Sequence, residues 1–524
     1  MKKKGIILAA FFATIMLSSL GASVFLKSTP TPSGNADITA TGTPADHFPD
    51  AQRIKFCGSG DAKSTPFVKE YRIPTECTNP LAIVADYDGN VWFAQTNTGK
   101  LAKFDPKAES FTEFDNKLWP KNGRSMIWGI DYSPDGSLWY TDESYDSIWR
   151  FSTQDQKYQR IAYPSEGDSL PQKLKVDGSQ IVINDFTGNK ITFLDPTQTN
   201  DKSRYLNLPS PVNGSVTGAF AIDNDKNVWY TNWLFQQGGV LVKFDQEGYR
   251  NSVANVDDKS LPSLDYIQVF QLPSELLTPN GMAISDGMIW LADTSSSAIF
   301  SFDPNTQQFT QYITSDPKLS TYGNSTGVIK SPISRPYWIE SNSDGNLVFN
   351  EQTANSIAVM NPKSESLVEY LIPSKNPSWS DCDVDSNCGL AQIFDFTIHG
   401  DKVWFTEWVE NNIGVVDTSV ALPFGIELDS KDISLSPGES KTMSFTISPQ
   451  QDLSGVSLIL SDPHTFLNLS SSVSVPFQLN SDAKSVDVTI SASDDAIPGK
   501  YKILLGAQIE DVSISKFVTV TILP

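Results

Sequence analysis

Histidine is scarce in this chain of 524 residues, which contains only His47, His399 and His464. The first lies in a polar N-terminal stretch, the second in a predicted tight turn, and the third in the C-terminal part. This scatter argues against a Ser-His-Asp nucleophile arrangement or a histidine-based zinc centre at the site predicted below.

Positive charge is also limited, because 39 lysines and arginines face 61 aspartates and glutamates, for a net charge of -22. A protein that binds nucleic acid needs a basic surface for the phosphates. The composition therefore excludes nucleic acid as a partner. It suits a solvated surface outside the cell and the binding of cations.

Cysteine occurs only four times, as Cys57, Cys77, Cys382 and Cys388. An even number fits an oxidising compartment with two disulfides. The local pairs would be Cys57–Cys77 and Cys382–Cys388, although sequence alone does not fix the pairing.

The N-terminus, residues 1–26, joins three lysines to an uncharged, largely apolar run over residues 5–26. Such a run suits either a cleaved signal peptide or an uncleaved membrane anchor. In both cases we expect the bulk of the chain outside the cytoplasm, secreted or membrane-anchored. Residues 27–66, rich at first in Thr, Pro, Ser and Gly, are predicted to be a flexible tether and lead-in.

A short sequence motif, called the repeated phrase below, recurs every 43 to 61 residues. It consists of an Asp-Gly turn, a Trp or its substitute, and a polar residue three positions after the Trp. Its central residues are Trp92, Trp139, Val182, Trp229, Trp290, Val348 and Trp404. Each repeat contains four short alternating runs, which is the pattern of a β-propeller blade. The sequence predicts an all-β protein with a seven-bladed β-propeller over residues 67–420.

The register also predicts how the ring closes. The seventh repeat ends after its third strand, whereas residues 67–74 resemble the outer strand of the sixth repeat at residues 367–373. The N-terminal segment should therefore complete the last blade. Residues 421–524 lack the phrase and carry alternating runs separated by Pro-Gly turns, which predicts a small immunoglobulin-like β-sandwich.

The polar residue of each phrase should return to one rim of the channel, because the first two strands of a blade form a hairpin. These residues are Gln95, Asp142, Asp185, Asn232, Asp293, Glu351 and Glu407. Crowded carboxylates could hold Mg²⁺ or Ca²⁺, with Asp293, Glu351 and Glu407 as the candidate metal ligands. Two alternatives are that the side chains bond neighbouring blades and hold the ring together, or that they act in acid–base catalysis.

Aromatic residues accompany this predicted rim, and with Asn280 they are further candidates for ligand binding. They are Trp128, Trp233, Tyr337 and Trp408. Their rings could stack on a small molecule, glycan or peptide while the acids bond its polar edges. Packing between blades is the alternative role.

A separate acidic loop precedes the seventh repeat. Its alternating oxygen side chains, Asp381, Asp383, Asp385 and Asn387, are similar to the start of a calcium-binding loop. Ser386 replaces the usual glycine, so a disulfide-closed loop without metal is the alternative.

The repeated phrase resembles that of the streptogramin B (virginiamycin B) lyase family, most closely at Val403-Trp404-Phe405-Thr406-Glu407, Pro134-Asp135-Gly136 and Pro279-Asn280-Gly281-Met282. The resemblance covers about residues 67–418 and implies a seven-bladed propeller. It also implies a magnesium-assisted elimination that uses histidine and glutamate in the channel.

The family's histidine position falls on seven residues of this chain, and none of them is histidine. They are Leu81, Trp128, Gln172, Gly218, Asn280, Tyr337 and Phe394. Only the glutamate position transfers, to Glu407 and Glu351, which become the candidate catalytic or metal-contacting residues.

Two functions follow as hypotheses. The first is an extracytoplasmic propeller that binds a polar ligand (a glycan, a peptide or a divalent cation) at an acidic, aromatic channel mouth without lyase activity. The alternative is a metal-assisted lyase or a lactone hydrolase of the gluconolactonase type. Because no general base is evident, the sequence favours binding.

Overall fold

The computed structural model describes residues 57–524, apart from 59, 122, 166–168, 200–203, 235–237, 254–262, 318–332, 377–388 and 463. The N-terminal segment and most of the tether lie outside these residues. Within the described chain, seven four-stranded antiparallel blades follow one another around a ring, and two further sheets form the C-terminal part. The predicted seven-bladed propeller is confirmed.

Each blade runs from an inner first strand at the central channel to an outer fourth strand. The first strands are β2 (Pro80–Ala85), β6 (Ile130–Tyr132), β10 (Pro171–Asp177), β14 (Val216–Ile222), β18 (Pro279–Ser285), β22 (Pro336–Ser341) and β26 (Ile393–His399). The second strands are β3 (Val91–Gln95), β7 (Ser137–Asp142), β11 (Gln180–Asp185), β15 (Val228–Leu234), β19 (Met288–Asp293), β23 (Leu347–Glu351) and β27 (Lys402–Glu407).

The third and fourth strands complete the blades. The third strands are β4 (Lys100–Asp105), β8 (Ser147–Ser152), β12 (Lys190–Leu194), β16 (Gly238–Phe244), β20 (Ala298–Asp303), β24 (Ser356–Asn361) and β28 (Asn412–Asp417). The fourth strands are β5 (Ser110–Phe114), β9 (Lys157–Ala162), β13 (Tyr205–Pro209), β17 (Ile267–Gln271), β21 (Gln308–Ile313), β25 (Ser366–Leu371) and, for the seventh blade, β1 (Val68–Arg72). A helix, α1 (Gln246–Val253), and a 3-10 turn (Ser263–Tyr266) lie between β16 and β17.

The ring closes as the sequence predicts. Strand β1 pairs antiparallel with β28, so that Val68 lies opposite Val416 and Arg72 opposite Asn412. The disulfide between Cys57 and Cys77, with Cα atoms 5.3 Å apart, flanks this closing strand on both sides. This confirms one of the two predicted cysteine pairs, whereas Cys382 and Cys388 lie outside the described residues.

In the first and fourth blades the Trp of the repeat is anchored to the turn that precedes it. In the first blade, Trp92 Nε1 donates to Asp86 Oδ2 at 2.9 Å, and Asn90 donates to the same carboxylate. Gly89 closes the turn at a φ of 82°, a conformation that a residue with a Cβ atom rarely adopts. The Asp-Gly turn and the Trp therefore form one local unit that fixes the hairpin register.

The described residues of the C-terminal part form nine strands. They are β29 (Phe424–Leu428), β30 (Asp432–Leu435), β31 (Ser440–Pro449), β32 (Leu453–Ser461), β33 (Leu467–Ser470), β34 (Phe477–Leu479), β35 (Lys484–Ala492), β36 (Gly499–Gln508) and β37 (Val512–Ile522). One sheet has the order β29-β31-β35-β33, and the other contains β37-β36-β32-β34 with β30 parallel to β37. Their apolar side chains share a hydrophobic cluster. The immunoglobulin-like assignment stays a prediction.

A connection that the sequence did not predict joins the two parts. Strand β37 pairs antiparallel with β25, so the sixth blade and one C-terminal sheet form a single nine-stranded sheet. Lys502 Nζ lies 2.5 Å from Glu365, and Phe517 packs edge-on against Tyr312 with ring centroids 5.1 Å apart. The outer edge of the sixth blade is therefore covered, which removes one open strand edge.

No helix within the described part of the chain has the length and apolar character needed to cross a bilayer.

Candidate functional site in the central channel

The seven polar residues of the repeated phrase are fully buried, each with 0% of its surface exposed. They are Gln95, Asp142, Asp185, Asn232, Asp293, Glu351 and Glu407. A side chain without exposed surface cannot contact a ligand in open solvent. The prediction that these residues present a polar ring to a ligand is therefore corrected, and their hydrogen bonds show what they do instead.

The first blade shows the arrangement. Gln95 Nε2, at the end of β3, donates to Glu113 Oε1 on β5 at 2.7 Å, across the small residue Ala102 of β4. Glu113 also accepts a hydrogen bond of 2.6 Å from Thr75, which follows the outer strand of the seventh blade. The pair thus connects two neighbouring blades.

We call such a pair of side chains, one at the end of the second strand and one on the fourth strand, a blade clasp. The sixth blade has a clasp made of two carboxyl groups. Glu351 faces Glu369 across Ala358, and Glu369 accepts from the backbone amide of Ser315 at 3.0 Å, just after the outer strand of the fifth blade. Burial and then repulsion by Glu351 raise the pKa of Glu369 to about 8. Burial also raises the pKa of Glu351.

The seventh blade carries the same pair as Glu407 and Glu70. Glu70 accepts from the Ser374 amide at 2.9 Å, and Glu407 accepts from Asn412 Nδ2 at 2.8 Å. Burial, followed by the charge of Glu70, raises the pKa of Glu407 well above its ordinary value. The two glutamates proposed as catalytic or metal-contacting groups therefore belong to blade clasps.

The other four residues of the set form hydrogen bonds with backbone and side-chain groups near the ends of the inner strands. Asp293 accepts from the amides of Thr278 and Ser295 at 2.8 and 3.1 Å. Asp142 accepts from Trp149 Nε1 at 2.8 Å, and burial raises the pKa of both aspartates. Asp185 accepts from the amide of Leu170 at 2.8 Å, and Asn232 donates to Thr217 at 2.9 Å. The contacts of these four residues stay within a blade or the connection that leads into it, so they fix strand ends, whereas the pairs of the first, sixth and seventh blades also reach the neighbouring blade.

The predicted aromatic residues close the same end of the channel. Trp128, Trp233, Tyr337 and Trp408 are each at most 5% exposed. Phe394 lies between Trp128 and Trp408, with ring centroids 5.8 and 5.5 Å away. Asn280, also buried, donates to Thr294 Oγ1 at 2.6 Å. The rings pack on one another, so their predicted stacking on a ligand is corrected as well.

No group of three or more His, Cys, Asp or Glu side chains suited to a metal ion occurs among the residues that the structure covers. The proposed calcium-binding loop with Asp381, Asp383, Asp385 and Asn387 lies outside those residues. Magnesium or calcium binding stays a prediction.

The channel is open at the opposite rim, where first strands end and second strands begin. A cavity of about 620 Å³ lies there, and all seven first strands contribute to its wall. Its apolar lining includes Ile83, Leu174, Ala219, Met282 and Ile339. The accessible lining as a whole is more polar than apolar. A concave cavity that combines apolar side chains with placed polar groups can serve as a small-molecule site.

One ion pair crosses the channel. Lys173 on the third blade reaches Asp395 on the seventh, nearly opposite in the ring, with an Nζ to Oδ1 distance of 2.5 Å. The same Nζ lies 4.7 Å from the ring centroid of Trp338 on the sixth blade. Asp395 also accepts from the Ile83 amide at 3.2 Å, and burial raises its pKa. This Lys173–Asp395 ion pair separates the cavity from the packed rings of Trp128, Phe394 and Trp408.

A second pair lies closer to the opening. Lys175 Nζ is 3.3 Å from Asp131 Oδ1, and the charge of Asp131 is the main cause that raises the pKa of Lys175. Asp131 also accepts from the Val176 amide at 2.7 Å. Both charges of this pair are thus held in place on the wall.

Glu340 on the sixth blade is the remaining charged group of the cavity. Its side chain is accessible to channel water, and no hydrogen bond or ion pair to it occurs within the described residues. The protein that surrounds it raises the pKa of Glu340 by desolvation, against the charges of Lys175 and Lys173. The cavity therefore combines two internal ion pairs with one unpaired carboxyl group.

Sequence reasoning missed these five groups, although a signal was present. First strands such as Leu81-Ala82-Ile83-Val84 are apolar, whereas the third repeat reads Gln172-Lys173-Leu174-Lys175. Charged residues on the innermost strand of a propeller face neither a blade core nor open solvent. They should have been read as groups of the channel.

Comparison with known proteins agrees with the fold. A streptogramin B lyase structure superposes with a TM-score of 0.50 at 19% identity, covering 67% of this chain and 96% of that chain. A catalytically inactive variant of virginiamycin B lyase from Staphylococcus aureus with quinupristin gives a TM-score of 0.50 at 19% identity, covering 68% and 99%. This chain has the propeller fold of those lyases.

The comparison shows the fold and not the reaction. No known family profile matches the sequence, and no curated protein matches it. Function has to be argued from the site.

Proposed function

We propose that this protein is an extracytoplasmic binding propeller that takes a small polar ligand, such as a sugar, a peptide end or an amine, into the channel cavity. The observation that carries the proposal is the cavity itself, a volume of about 620 Å³ whose wall combines apolar side chains with polar groups and fixed charges. Its size falls within the range of about 300–1,000 Å³ typical of ligand pockets.

The proposed location rests on separate observations. The disulfide between Cys57 and Cys77 fits an oxidising compartment. The basic, then apolar N-terminus fits export or anchoring through residues 5–26. We also propose that residues 421–524 form an immunoglobulin-like spacer that follows the propeller at residues 67–420.

Binding is proposed without lyase activity. The two glutamates that the family resemblance suggested, Glu351 and Glu407, are fully buried and bonded inside the blade clasps. The channel end that carries the family's histidine position is closed by aromatic packing. No observation in the structure favours the lyase or lactone hydrolase over binding.

A screen with a blocked variant tests the proposal. The purified full-length chain is mixed with sugars, amino acids, short peptides, aliphatic diamines, diols and dicarboxylates, and binding is read by ligand-observed NMR. Ser341 is exposed at the cavity wall, so Ser341→Cys modified with a bulky maleimide should block binding. Ala108→Cys, modified in the same way on an exposed turn of the first blade, should not.

The expected result is binding of at least one compound class that modified Ser341→Cys abolishes. If no class binds, or if binding persists in the blocked variant, the proposal is wrong.

A further inference from the structure

The charges of the cavity do not balance. Asp131, Glu340 and Asp395 supply three carboxyl groups, whereas Lys173 and Lys175 supply two ammonium groups. Each lysine already has a carboxylate partner, so neither is left to bind an anion. Glu340 is the one charged group of the cavity that is left for a ligand.

The rim around the opening has the same sign. The turns between first and second strands carry exposed aspartates without an ion-pair partner among the described residues, namely Asp88, Asp225, Asp344 and Asp401. Lys226, on one of these turns, is engaged by Asp177 at 2.8 Å. A mouth lined by one sign of charge concentrates ligands of the opposite sign.

Aromatic and apolar groups lie beside these charges. Tyr87 is 70% exposed at the opening and meets Tyr132 edge-on, with ring centroids 5.4 Å apart. Tyrosine faces attract organic cations, and apolar wall residues such as Ile83, Leu174 and Met282 offer a surface for a hydrocarbon body.

We propose that the channel cavity binds a small organic cation with an apolar body, whose ammonium group pairs with Glu340. The proposal rests on the proposed binding function and names its ligand class. Binding is a noncovalent exchange in which the ammonium group replaces water at the Glu340 carboxylate.

Isothermal titration of the full-length chain with three compounds of equal length tests the ligand class. Hexamethylenediamine carries ammonium ends, hexanediol is neutral and adipate is anionic. We expect the diamine to bind at least about tenfold more tightly than the other two compounds, which corresponds to a difference in binding free energy of about 1.4 kcal/mol.

Two substitutions in the cavity should act in opposite directions. Glu340→Gln should weaken diamine binding at least about tenfold. Lys175→Met should strengthen it severalfold, because it removes a positive charge and frees Asp131. Asp155→Asn, the matched control on an exposed turn between the third and fourth strands of the second blade, should change the affinity by less than about twofold, because it lies outside the cavity and its rim.

Equal or tighter binding of hexanediol or adipate, or unchanged diamine affinity in Glu340→Gln, would overturn the inference while the binding function stands. If none of these compounds and no member of the wider panel binds, the proposed function itself fails.

Discussion

Replacing Glu351 by glutamine should flatten the pH dependence of folding stability. Glu351 and Glu369 face each other inside the sixth blade, where burial and mutual repulsion raise the pKa of Glu369 from 4.5 to about 8. The folded state therefore holds a proton that the unfolded chain releases. Stability is fully present below about pH 4.5 and is lost as the pH rises towards 8.

The magnitude follows from the shift. One proton held more tightly by the folded state makes stability fall by up to about 1.4 kcal/mol per pH unit. From 4.5 to about 8 the total loss approaches 5 kcal/mol for Glu369. In Glu351→Gln the amide can donate to Glu369, as Gln95 donates to Glu113 in the first blade at 2.7 Å. The charged form of Glu369 is then stabilised, and much of this loss should disappear.

The assay is urea unfolding of the full-length chain followed by Trp fluorescence from about pH 5 to about pH 8. The first blade supplies the converse variant, because Gln95→Glu creates a third carboxyl pair and should steepen the decline. If folding stability in both variants falls with pH as steeply as in the unsubstituted protein, the paired carboxyl groups do not raise each other's pKa in the folded state. That result would contradict the predicted pH dependence.

Three further predictions concern other contacts. Lys173→Met should lower the free energy of unfolding by about 3 kcal/mol, because it leaves Asp395 buried without its cation. Adding Asp395→Asn to this variant should restore part of the loss, and equal stability of the single and double variants would contradict a stabilising role for the Lys173–Asp395 ion pair. Phe517→Ala should cost about 3 kcal/mol or more and split one calorimetric transition into two, because Phe517 joins the sheets and is 1% exposed; a single unshifted transition would show that the two parts are not coupled through this residue. Loss of the Cys57–Cys77 disulfide, whose cysteines are 20 residues apart, should lower the free energy of unfolding by about 3 kcal/mol and increase proteolysis ahead of the closing strand. A Cys57→Ser/Cys77→Ser variant should show both effects without reductant, and unchanged stability and proteolysis in that variant would contradict this role.

Much of the fold could be predicted because its signal is local and repeated. The Asp-Gly turn and the Trp it anchors lie within seven residues, so the period reveals each blade and the incomplete last repeat reveals the closing strand. The pairing of β25 with β37 could not be predicted in this way, since it joins distant parts of the chain through backbone groups that leave no pattern in the sequence.

The sequence did not predict that the seven polar side chains are buried, and the reason is physical. The polar residue after each Trp was expected to face water, but the structure buries it. In three blades its partner lies on the fourth strand, as in Gln95 with Glu113, whereas in the other four it bonds groups of the adjoining strands and connections. On the third strand, the small residues Ala102 and Ala358 lie opposite the fourth-strand acids Glu113 and Glu369. Only the three-dimensional register shows these contacts.

Photo-crosslinking shows whether the ligand enters the channel from the rim where first strands end. An aliphatic amine that carries a diazirine is irradiated with the full-length chain, and the modified residues are located by mass spectrometry. We predict adducts at Tyr87, Tyr132 and Glu340 that excess hexamethylenediamine suppresses. Suppressible adducts at Trp128 or Trp408, at the opposite end, would contradict the account.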